Sequence, residues 1–252
     1  DYLGRATSTA LTVDSTTYTT TQTYDRQGNV LIITNPDSTK NEYTFGTAGR
    51  ISSVDWRTAA GTLNNLVSSV TYAPHGATGT ISYANGVTST FDYDETELYR
   101  LQNKLSTIST TELEDTTYTY DAVGNITEIV DAPTIYTSIT TSMTYDDLHR
   151  LTQSDAVSTD SNFDATKNYT YSPLGNILSG PPGTYSYGST TSGVFSNPHA
   201  ATSIGAVNFT YDKNGNQTTD GTWTNTWDFK NRLVQSAKTG LTVNYTYDYT
   251  GN

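Results

Sequence analysis

The stretch YTYDAVGNI at residues 118–126 returns as FTYDKNGNQ at residues 209–217, with five of nine residues identical. Each copy places an aromatic residue, a Thr, a Tyr-Asp pair, two variable residues and Gly-Asn in the same order. The two aromatic side chains are two residues apart and therefore point to one face of an extended strand. Asp at the first and Gly at the fourth position favour a type I turn with a left-handed Gly. An apolar residue follows in the first copy, as in ITEIV at 126–130. The stretch therefore predicts the turn of a β-hairpin.

The same pattern recurs along the whole chain. The second aromatic residue of each copy is Tyr24, Phe45, Tyr72, Tyr93, Tyr120, Tyr145, Tyr171, Tyr211, Trp227 or Tyr247. One hairpin is marginally stable alone, so the copies are expected to stack side by side. We therefore predict an all-β fold of hairpin repeats stacked in a continuous antiparallel sheet. It is expected to be a single array over 1–252, with about ten units and a longer insertion at 179–205. Both ends are expected to lie inside repeats.

The predicted turns follow from the repeat. Their residues are Tyr24, Asp25, Gly28, Asn29, Tyr120, Asp121, Gly124, Asn125, Tyr171, Gly175, Asn176, Tyr211, Asp212, Gly215, Asn216, Trp227, Asp228 and Arg232. Two copies lose part of the pattern, at Tyr72–Gly76 and at Tyr93–Glu95, so the repeat does not define their turns. The segment DETELYRLQNKL at 94–105 is expected to form a longer hairpin loop. A helical turn is the alternative there, because Leu98, Leu101 and Leu105 are three and four residues apart.

The composition favours strands and excludes several classes of function. Leu, Ile, Val and Phe supply only 45 of 252 residues, while the chain has 51 Thr, 20 Tyr and 3 Trp, and Thr and aromatic residues favour strands. Cysteine is absent, which excludes disulfides, thiolate metal sites and a cysteine nucleophile. The net charge of −12 argues against nucleic acid and anionic membranes as partners. No stretch approaches 18 apolar residues, so membrane insertion is not expected.

The repeat resembles a known family. YTYDAVGNI, MTYDDLHRL, YTYSPLGNI, FTYDKNGNQ and TWDFKNRLV are similar to the YD repeats of the Rhs family, and residues 197–236 resemble the late repeats of Rhs and toxin-complex proteins. That family includes Rhs polymorphic toxins, shell subunits of insecticidal toxin complexes, wall-associated proteins and teneurins. The resemblance implies a sheet that spirals into part of a hollow shell or barrel around a C-terminal toxin, or that presents adhesive surfaces. The family's Asp-Pro autoproteolytic motif has no counterpart, because the sequence contains no Asp-Pro dipeptide.

For each candidate functional site in the sequence, a structural role explains the residues better than a catalytic or metal-binding role. The three histidines, His75, His149 and His199, form no catalytic set by spacing. The acidic pair Asp146/Asp147 is expected to be solvated, as are Glu112, Glu114 and Asp115, which are expected in a polar connection before a strand. The order of oxygen ligands in DKNGNQTTD at 212–220 imitates a calcium loop, but the twelfth position is Trp223 rather than Glu. No catalytic residue, metal or cofactor is therefore predicted.

Two further features concern the surface. The Gly/Pro/Ser-rich segment 179–199, with Tyr185 and Tyr187, is the best exposed candidate for stacking on sugars, but cross-strand packing is the preferred explanation of these aromatic residues, and no glycan binding is expected there. The sequons at Asn125, Asn168, Asn208, Asn216 and Asn244 follow from the repeat, and they matter only in a eukaryotic secretory host.

The sequence leads to one preferred function and two alternatives. The preferred function is a structural shell segment that encapsulates a C-terminal effector or toxin domain. The first alternative is an extracellular or cell-surface protein for adhesion or carbohydrate binding, and the second is an enzyme, which no group of residues supports. The expected partners are the rest of its own polypeptide or shell, an enclosed effector, glycans, and a second copy bound through edge strands such as 242–249. The expected localisation is extracellular, secreted or at the cell surface.

Overall fold

The structure is a computed structural model that describes residues 1–46, 48–188, 197–248 and 251. The strands are β1 Ser8–Val13, β2 Thr16–Tyr24, β3 Val30–Thr34, β4 Lys40–Phe45, β5 Ile51–Arg57, β6 Leu63–Tyr72, β7 Thr78–Tyr83, β8 Val87–Asp94, β9 Arg100–Ile108, β10 Thr111–Tyr120, β11 Ile126–Asp131, β12 Ile139–Tyr145, β13 Leu151–Ser158, β14 Ala165–Asn168, β15 Thr170–Tyr171, β16 Ile177–Gly180, β17 Gly183–Tyr187, β18 Ala201–Ile204, β19 Val207–Asn208, β20 Thr210–Tyr211, β21 Gln217–Thr219, β22 Thr224–Trp227, β23 Leu233–Lys238 and β24 Leu241–Asn244. The one helical element in the described part of the chain is a 3₁₀ turn at Ser161–Phe163.

Strands that are consecutive in sequence are neighbours in the sheets, as stacked hairpins require. The described residues form a sheet of 14 strands in the order β1 to β14, a sheet of five from β15 to β19, and a sheet of five from β20 to β24. The chain divides into two compact units, residues 1–141 with 156–164, and residues 142–155 with 165–252. The all-β, antiparallel prediction is confirmed.

The division into three sheets comes from extended segments that change partner. Within residues 165–171, β14 belongs to the first sheet and β15 pairs with β16, and the backbone N–H of Tyr169 between them donates to Thr152. Residues 207–211 behave in the same way, because β19 pairs with β18 and β20 pairs with β21. Phe209 is the point of change there, and its backbone N–H donates to Thr202. In both repeats, the segment thus changes its partner strand at the first aromatic residue, Tyr169 or Phe209.

The sheets have one face rich in aromatic and aliphatic side chains and one face rich in Thr and Ser. Tyr118 lies opposite Ile129 and Tyr120 opposite Ile126, and the β-bulge between Thr119 and Tyr120 shifts the register beside the turn. We call the side that carries these residues the aromatic face. None of the described hydrophobic side chains is fully buried, whereas Ser89, Ser106, Thr116 and Ser236 are at most 9% exposed. The most protected positions are therefore these small polar residues within the sheets and Pro133 between β11 and β12.

Three local predictions need correction. The loop expected at 94–105 is shorter, because β8 reaches Asp94 and β9 begins at Arg100, and the turn between them places Leu98 and Tyr99 in the left-handed conformation. The acidic residues 112–115 lie inside β10, not in a connection, because partners on β9 neutralise or bind them: Lys104 contacts Glu114 at 2.7 Å. At the C-terminal end, β24 ends at Asn244, so of the strand expected over 242–249 only the first part is observed, and residue 249 lies outside the described residues.

Candidate functional site: the corner turns

The repeat forms a five-residue turn that we call the corner. In the corner at 121–125, the backbone N–H of Asp121 donates to the carbonyl of Asn125 at 2.9 Å, and that of Gly124 donates to the carbonyl of Asp121 at 3.1 Å. The Asp121 carboxylate accepts backbone N–H bonds from Val123, Gly124 and Asn125 at 2.8–3.1 Å. The Asn125 amide donates to the second carboxylate oxygen at 2.7 Å. Asp therefore satisfies the turn amides, and the fifth residue fixes the carboxylate.

Asn and Arg are equivalent at the fifth position of the corner, because either side chain donates to the carboxylate of the first residue. The corner at 25–29 pairs Asp25 with Asn29, and the corner at 146–150 pairs Asp146 with Arg150 through the backbone N–H at 3.0 Å and Nε at 2.7 Å. Asp212 and Asn216 repeat the Asn form, and the pairs Asp228/Arg232 and Asp1/Arg5 repeat the Arg form. Hydrogen bonds to the charged form of an acid favour ionisation. The pKa of Asp25 is lowered first by the Asn29 side chain, and that of Asp146 first by the Arg150 side chain.

The last aromatic residue before a corner closes the hairpin that ends there. Its hydroxyl donates to the carbonyl of the residue that follows the preceding corner, some twenty positions earlier in most copies. The bonds run from Tyr24 to Ala6, Tyr72 to Ile51, Tyr93 to Thr78, Tyr120 to Leu101, Tyr171 to Leu151, Tyr211 to Ala201 and Tyr247 to Leu233, at 2.6–3.0 Å. Trp227 replaces the hydroxyl with its indole N–H, which donates to Gln217 at 2.9 Å. We call these contacts tyrosine–carbonyl bonds.

Where a turn ends in arginine, that side chain joins it to the next corner. Arg100 lies over the ring of Tyr120 at 5.6 Å, and its Nη1 donates to the carbonyl of Asp121 at 2.8 Å. The pairs Arg5/Tyr24, Arg50/Tyr72, Arg150/Tyr171 and Arg232/Tyr247 have the same ring contact, at 4.4–5.0 Å. Gly124 has a φ of +101°, and a Cβ added there would lie 3.2 Å from Nη2 of Arg100. Glycine is therefore favoured at this position for two reasons: it adopts the positive φ without strain, and it leaves space for the Arg100 side chain.

The structure places all the turn residues named from the sequence in five corners, 25–29, 121–125, 172–176, 212–216 and 228–232, each preceded by its aromatic residue. Gly124, Gly175 and Gly215 have φ values of +101°, +87° and +87°, as expected. The corner at 73–77 forms without Asp: the backbone N–H of Ala73 donates to Ala77, and that of Gly76 to Ala73. The backbone loop is thus sufficient for the turn.

One repeat escapes the sequence pattern. Tyr185 and Tyr187 lie in β17 opposite Ile204 and Ala201, so they occupy the two aromatic positions of a further copy. The residue after them is Gly188 rather than Asp, and residues 189–196 of the insertion lie outside the described part of the chain. Both tyrosines are half-buried within the strand pairing, and burial raises the pKa of Tyr187. The spacing of 40 residues between Tyr171 and Tyr211 therefore contains a copy as well as an insertion.

The histidines have structural contacts. The His75 ring stacks on Tyr99 at 4.4 Å and meets the edge of Tyr93 at 4.7 Å. His149 occupies the glycine position of its corner, with a φ of +59°. Nδ1 of His199 lies 2.7 Å from the side-chain oxygen of Asn176. Within the described residues, no group of three or more acidic or histidine side chains could hold a metal ion.

A hydrogen-bonded polar cluster crosses the aromatic face of β8, β9 and β10. The hydroxyls of Ser89 and Ser106 are 2.7 Å apart, and Ser106 donates to Glu114 at 3.0 Å while Lys104 donates to the other oxygen of that carboxylate at 2.7 Å. Asp131 lies opposite Thr116, and its buried Oδ1 has no partner among the described residues. Burial, and then the Glu114 charge, raise the pKa of Asp131.

None of the described helical segments has the length and hydropathy needed to span a lipid bilayer.

Comparison with known proteins places this corner and sheet arrangement in a family. No curated protein matches the sequence. The fold is similar to that of the TcdB2-TccC3-Cdc42 crystal structure, with a TM-score of 0.73 and 19% identity over 91% of this chain and 13% of that one. A Tc holotoxin pore of Photorhabdus luminescens gives a TM-score of 0.60 at 18% identity, again over 91% and 13%. TcdB2-TccC3 gives 0.57 at 16% identity over 94% and 16%.

These matches show the fold, and the chain spans about an eighth of the length of the first two structures. The family model of the Teneurin YD-shell matches residues 58–252, well over half of the chain. The matched region contains the corners from 73–77 onward and the tyrosine–carbonyl bonds from Tyr93 onward. The chain therefore belongs to the Teneurin YD-shell family.

Proposed function

We propose that this chain forms part of the wall of a hollow shell that encloses an effector domain of its own polypeptide. The observation that carries the proposal is the absence of a packed interior among the described residues, where no hydrophobic side chain is fully buried. Two stacked layers normally bury a common core. Single-layer sheets that are held by corner turns and tyrosine–carbonyl bonds are suited to separating two spaces.

The related structures support an enclosed partner. The TcdB2-TccC3 structures combine two named proteins, and one of them is described as lacking a hypervariable C-terminal region. By analogy, the effector of this protein would follow the shell in the same polypeptide. The alignments with those two structures cover only 13% and 16% of their chains, so a closed shell needs more wall than these 252 residues. Enclosure is therefore proposed for the full-length protein, as an extracellular or secreted particle without catalytic activity in the wall.

Protease protection of an enclosed reporter tests this function. The full-length protein would carry an unfolded, tagged reporter in place of its C-terminal region, and a second protein would carry the same reporter without the shell. We expect the reporter to survive protease only in the first protein and to become sensitive when the shell is unfolded. Equal digestion rates in both proteins would contradict enclosure.

The second candidate, adhesion through glycans, is favoured by one observation. Outside the corners, an open groove in the last sheet is lined by Trp223 and Tyr245 together with polar side chains. This groove is independent of whether the shell encloses a cargo, and a wall can also present binding surfaces. Binding of simple glycosides to the isolated chain tests this candidate.

A further inference from the structure

The corner at 73–77 has the backbone of the other corners but lacks their carboxylate. The backbone N–H of Ala73 donates to the carbonyl of Ala77, and that of Gly76 donates to the carbonyl of Ala73, both at 2.8 Å. Gly76 has a φ of +103°, close to the +101° of Gly124 at the same position of an Asp corner. Because the first residue is Ala, the corner has no carboxylate of its own to accept its amides.

In the Asp corners, one carboxylate oxygen of the first residue accepts the backbone N–H groups of the third and fifth residues. These bonds measure 2.8–3.1 Å in the corners at 1–5, 25–29, 121–125, 146–150, 212–216 and 228–232. The corresponding donors at 73–77 are the N–H groups of His75 and Ala77, and neither has an acceptor among the residues that the structure describes. Since the backbone is the same, both groups point to the place that a carboxylate oxygen occupies in the Asp corners.

A guanidinium without an ion partner lies beside these amides. Arg50 lies over the ring of Tyr72 at 5.0 Å, and its Nη2 would be 3.2 Å from a Cβ added to Gly76. Arginines at the fifth position of other corners bind the Asp of their own corner, as at 1–5, 146–150 and 228–232. The corner of Arg50 begins with Gly46 instead, and Arg50 forms no ion pair with any described residue. Two unpaired amides and one unpaired cation therefore occur at a single corner.

This arrangement favours a carboxylate as the ligand. Backbone N–H groups that converge in a turn form a concave anion site, and hydrogen bonds to a charged acceptor are stronger than those to a neutral one. The Asp corners show that a carboxylate oxygen fits this backbone. A neutral amide would gain nothing from the charge of Arg50, and a phosphate dianion would be repelled more strongly by a chain with a net charge of −12. The same net charge implies that binding is weak.

We propose that the corner at 73–77 is a binding site for a carboxylate group. One carboxylate oxygen accepts the N–H groups of His75 and Ala77, and the guanidinium of Arg50 supplies the positive charge. A free small carboxylate and the Asp or Glu side chain of a bound peptide share this chemistry. The site depends neither on enclosure of an effector nor on the groove at Trp223.

Selective ¹⁵N labelling of histidine gives a test specific to this corner, because the chain has three histidines. The amide of His149 donates to the Asp146 carbonyl and that of His199 to Oδ1 of Asn197, both at 2.9 Å, so these two signals are internal controls. Sodium acetate is titrated against sodium chloride at constant pH and ionic strength, and neutral acetamide is titrated in parallel. We expect acetate to shift the His75 amide signal downfield and saturably in the millimolar range. Acetamide should leave that signal unchanged, and acetate should leave the two control signals unchanged.

Three variants locate the bound carboxylate. Ala73→Asp supplies a carboxylate from the chain itself, so it should place the His75 amide signal downfield from the start and abolish the response to acetate. Arg50→Gln should weaken acetate binding about twofold or more. Arg57→Gln is the matched control, because Arg57 is already paired with Glu42 at 2.6 Å. Circular dichroism and thermal unfolding check each fold, and if Ala73→Asp disturbs the sheet, the comparison of acetate with acetamide on the unaltered chain carries the test.

The peptide acetyl-Gly-Asp-Gly-amide and its Asn counterpart distinguish the two sources of the carboxylate. Binding of the Asp peptide about tenfold or more tighter than acetate identifies a side chain of a partner, and a smaller difference identifies a free carboxylate. The proposal is overturned if the His75 signal responds to neither acetate nor the Asp peptide. It is also overturned if acetamide or the Asn peptide gives the same shift, or if the response persists in folded Ala73→Asp. Unchanged affinity in Arg50→Gln would overturn the part assigned to the guanidinium. None of these results bears on protease protection of the reporter, so the two proposals can fail separately.

Discussion

Removal of one tyrosine hydroxyl tests whether the tyrosine–carbonyl bonds stabilise the repeats. Tyr120→Phe deletes the 2.8 Å bond to the Leu101 carbonyl and leaves the ring beneath Arg100. A hydrogen bond of this type contributes about 0.5–1.5 kcal/mol net. Because the hydroxyl is only partly buried, we expect a loss near the middle of that range, about 1 kcal/mol. For a chain of this size that corresponds to a melting temperature lower by about 2–4 °C.

Two other positions in the chain supply the reciprocal variant and the control variant. Phe45 occupies the tyrosine position of the hairpin β3–β4, and Val30 begins β3 directly after the corner at 25–29. Phe45→Tyr should therefore gain up to about 1 kcal/mol by supplying a hydroxyl to the Val30 carbonyl. Tyr18→Phe is the control, since Tyr18 is 48% exposed and its hydroxyl has no hydrogen bond to a described residue.

The assay is urea and thermal unfolding followed by far-ultraviolet circular dichroism for the three variants and the parent chain. The expected order of stability is Phe45→Tyr, then the parent together with Tyr18→Phe, then Tyr120→Phe. If Tyr120→Phe and Tyr18→Phe unfold at the same midpoint as the parent, the hydroxyl bond contributes nothing. Closure of the hairpins by tyrosine hydroxyls would then be refuted as a source of stability.

Three further predictions concern the corners and the polar cluster. Gly124→Val should lower the free energy of unfolding by about 1–3 kcal/mol, because Gly124 has a positive φ. The loss should exceed that of Gly175→Val, because only at Gly124 would an added Cβ come within 4 Å of a described atom, in the Arg100 guanidinium. An unchanged urea midpoint for Gly124→Val would contradict the turn assignment. Asp131→Asn should raise the unfolding midpoint near neutral pH and not at about pH 3. Burial, together with a neighbouring carboxylate, raises the pKa of Asp131 in the folded protein. The contribution of Asp131 to the free energy of unfolding is therefore fully present in acid and is lost as the pH rises through the folded pKa. An equal gain from Asp131→Asn at both pH values would exclude titration as the cause. Added calcium should leave the melting temperature unchanged, because the Asp212 carboxylate already accepts three hydrogen bonds within its corner; a rise of several degrees that Asp212→Ala abolishes would reveal a calcium site.

The sequence predicts those parts of the structure that depend on interactions between residues close together in the chain. Asp-x-x-Gly predicts the corner because Asp121 and Gly124 interact within five residues, and backbone chemistry alone gives that turn. The pairing of Asn125 or Arg150 with the first Asp of the corner emerges only in the structure, although the alternation of Asn and Arg at the fifth position is its signal in the sequence. The tyrosine–carbonyl bonds are out of reach of the sequence, because the Tyr120 hydroxyl and its acceptor are 19 residues apart and meet only in one register.

The errors have physical reasons. The copy around Tyr187 escapes the pattern because the following residue is Gly188, and no Asp marks the turn. Glu114 is expected in a connection because acidic residues are depleted in strands, yet a cross-strand lysine makes the strand position favourable. The groove beside Trp223 depends on which residues of β22 and β23 lie opposite each other, and register is not readable from a Thr-rich strand whose alternation is weak.

The links between successive corners have a consequence for how such a chain can change its length. Arg100 contacts the next corner, Arg150 contacts both its own corner and the ring before the next one, and the Tyr120 hydroxyl reaches only the start of its own hairpin. Removing or duplicating one whole hairpin would leave the side chains of every remaining strand on their own face of the sheet. Removing a single residue would turn a strand over and direct its aromatic side chains to the opposite face. We therefore expect the fold to tolerate the loss or gain of a whole hairpin better than the loss of a single strand residue.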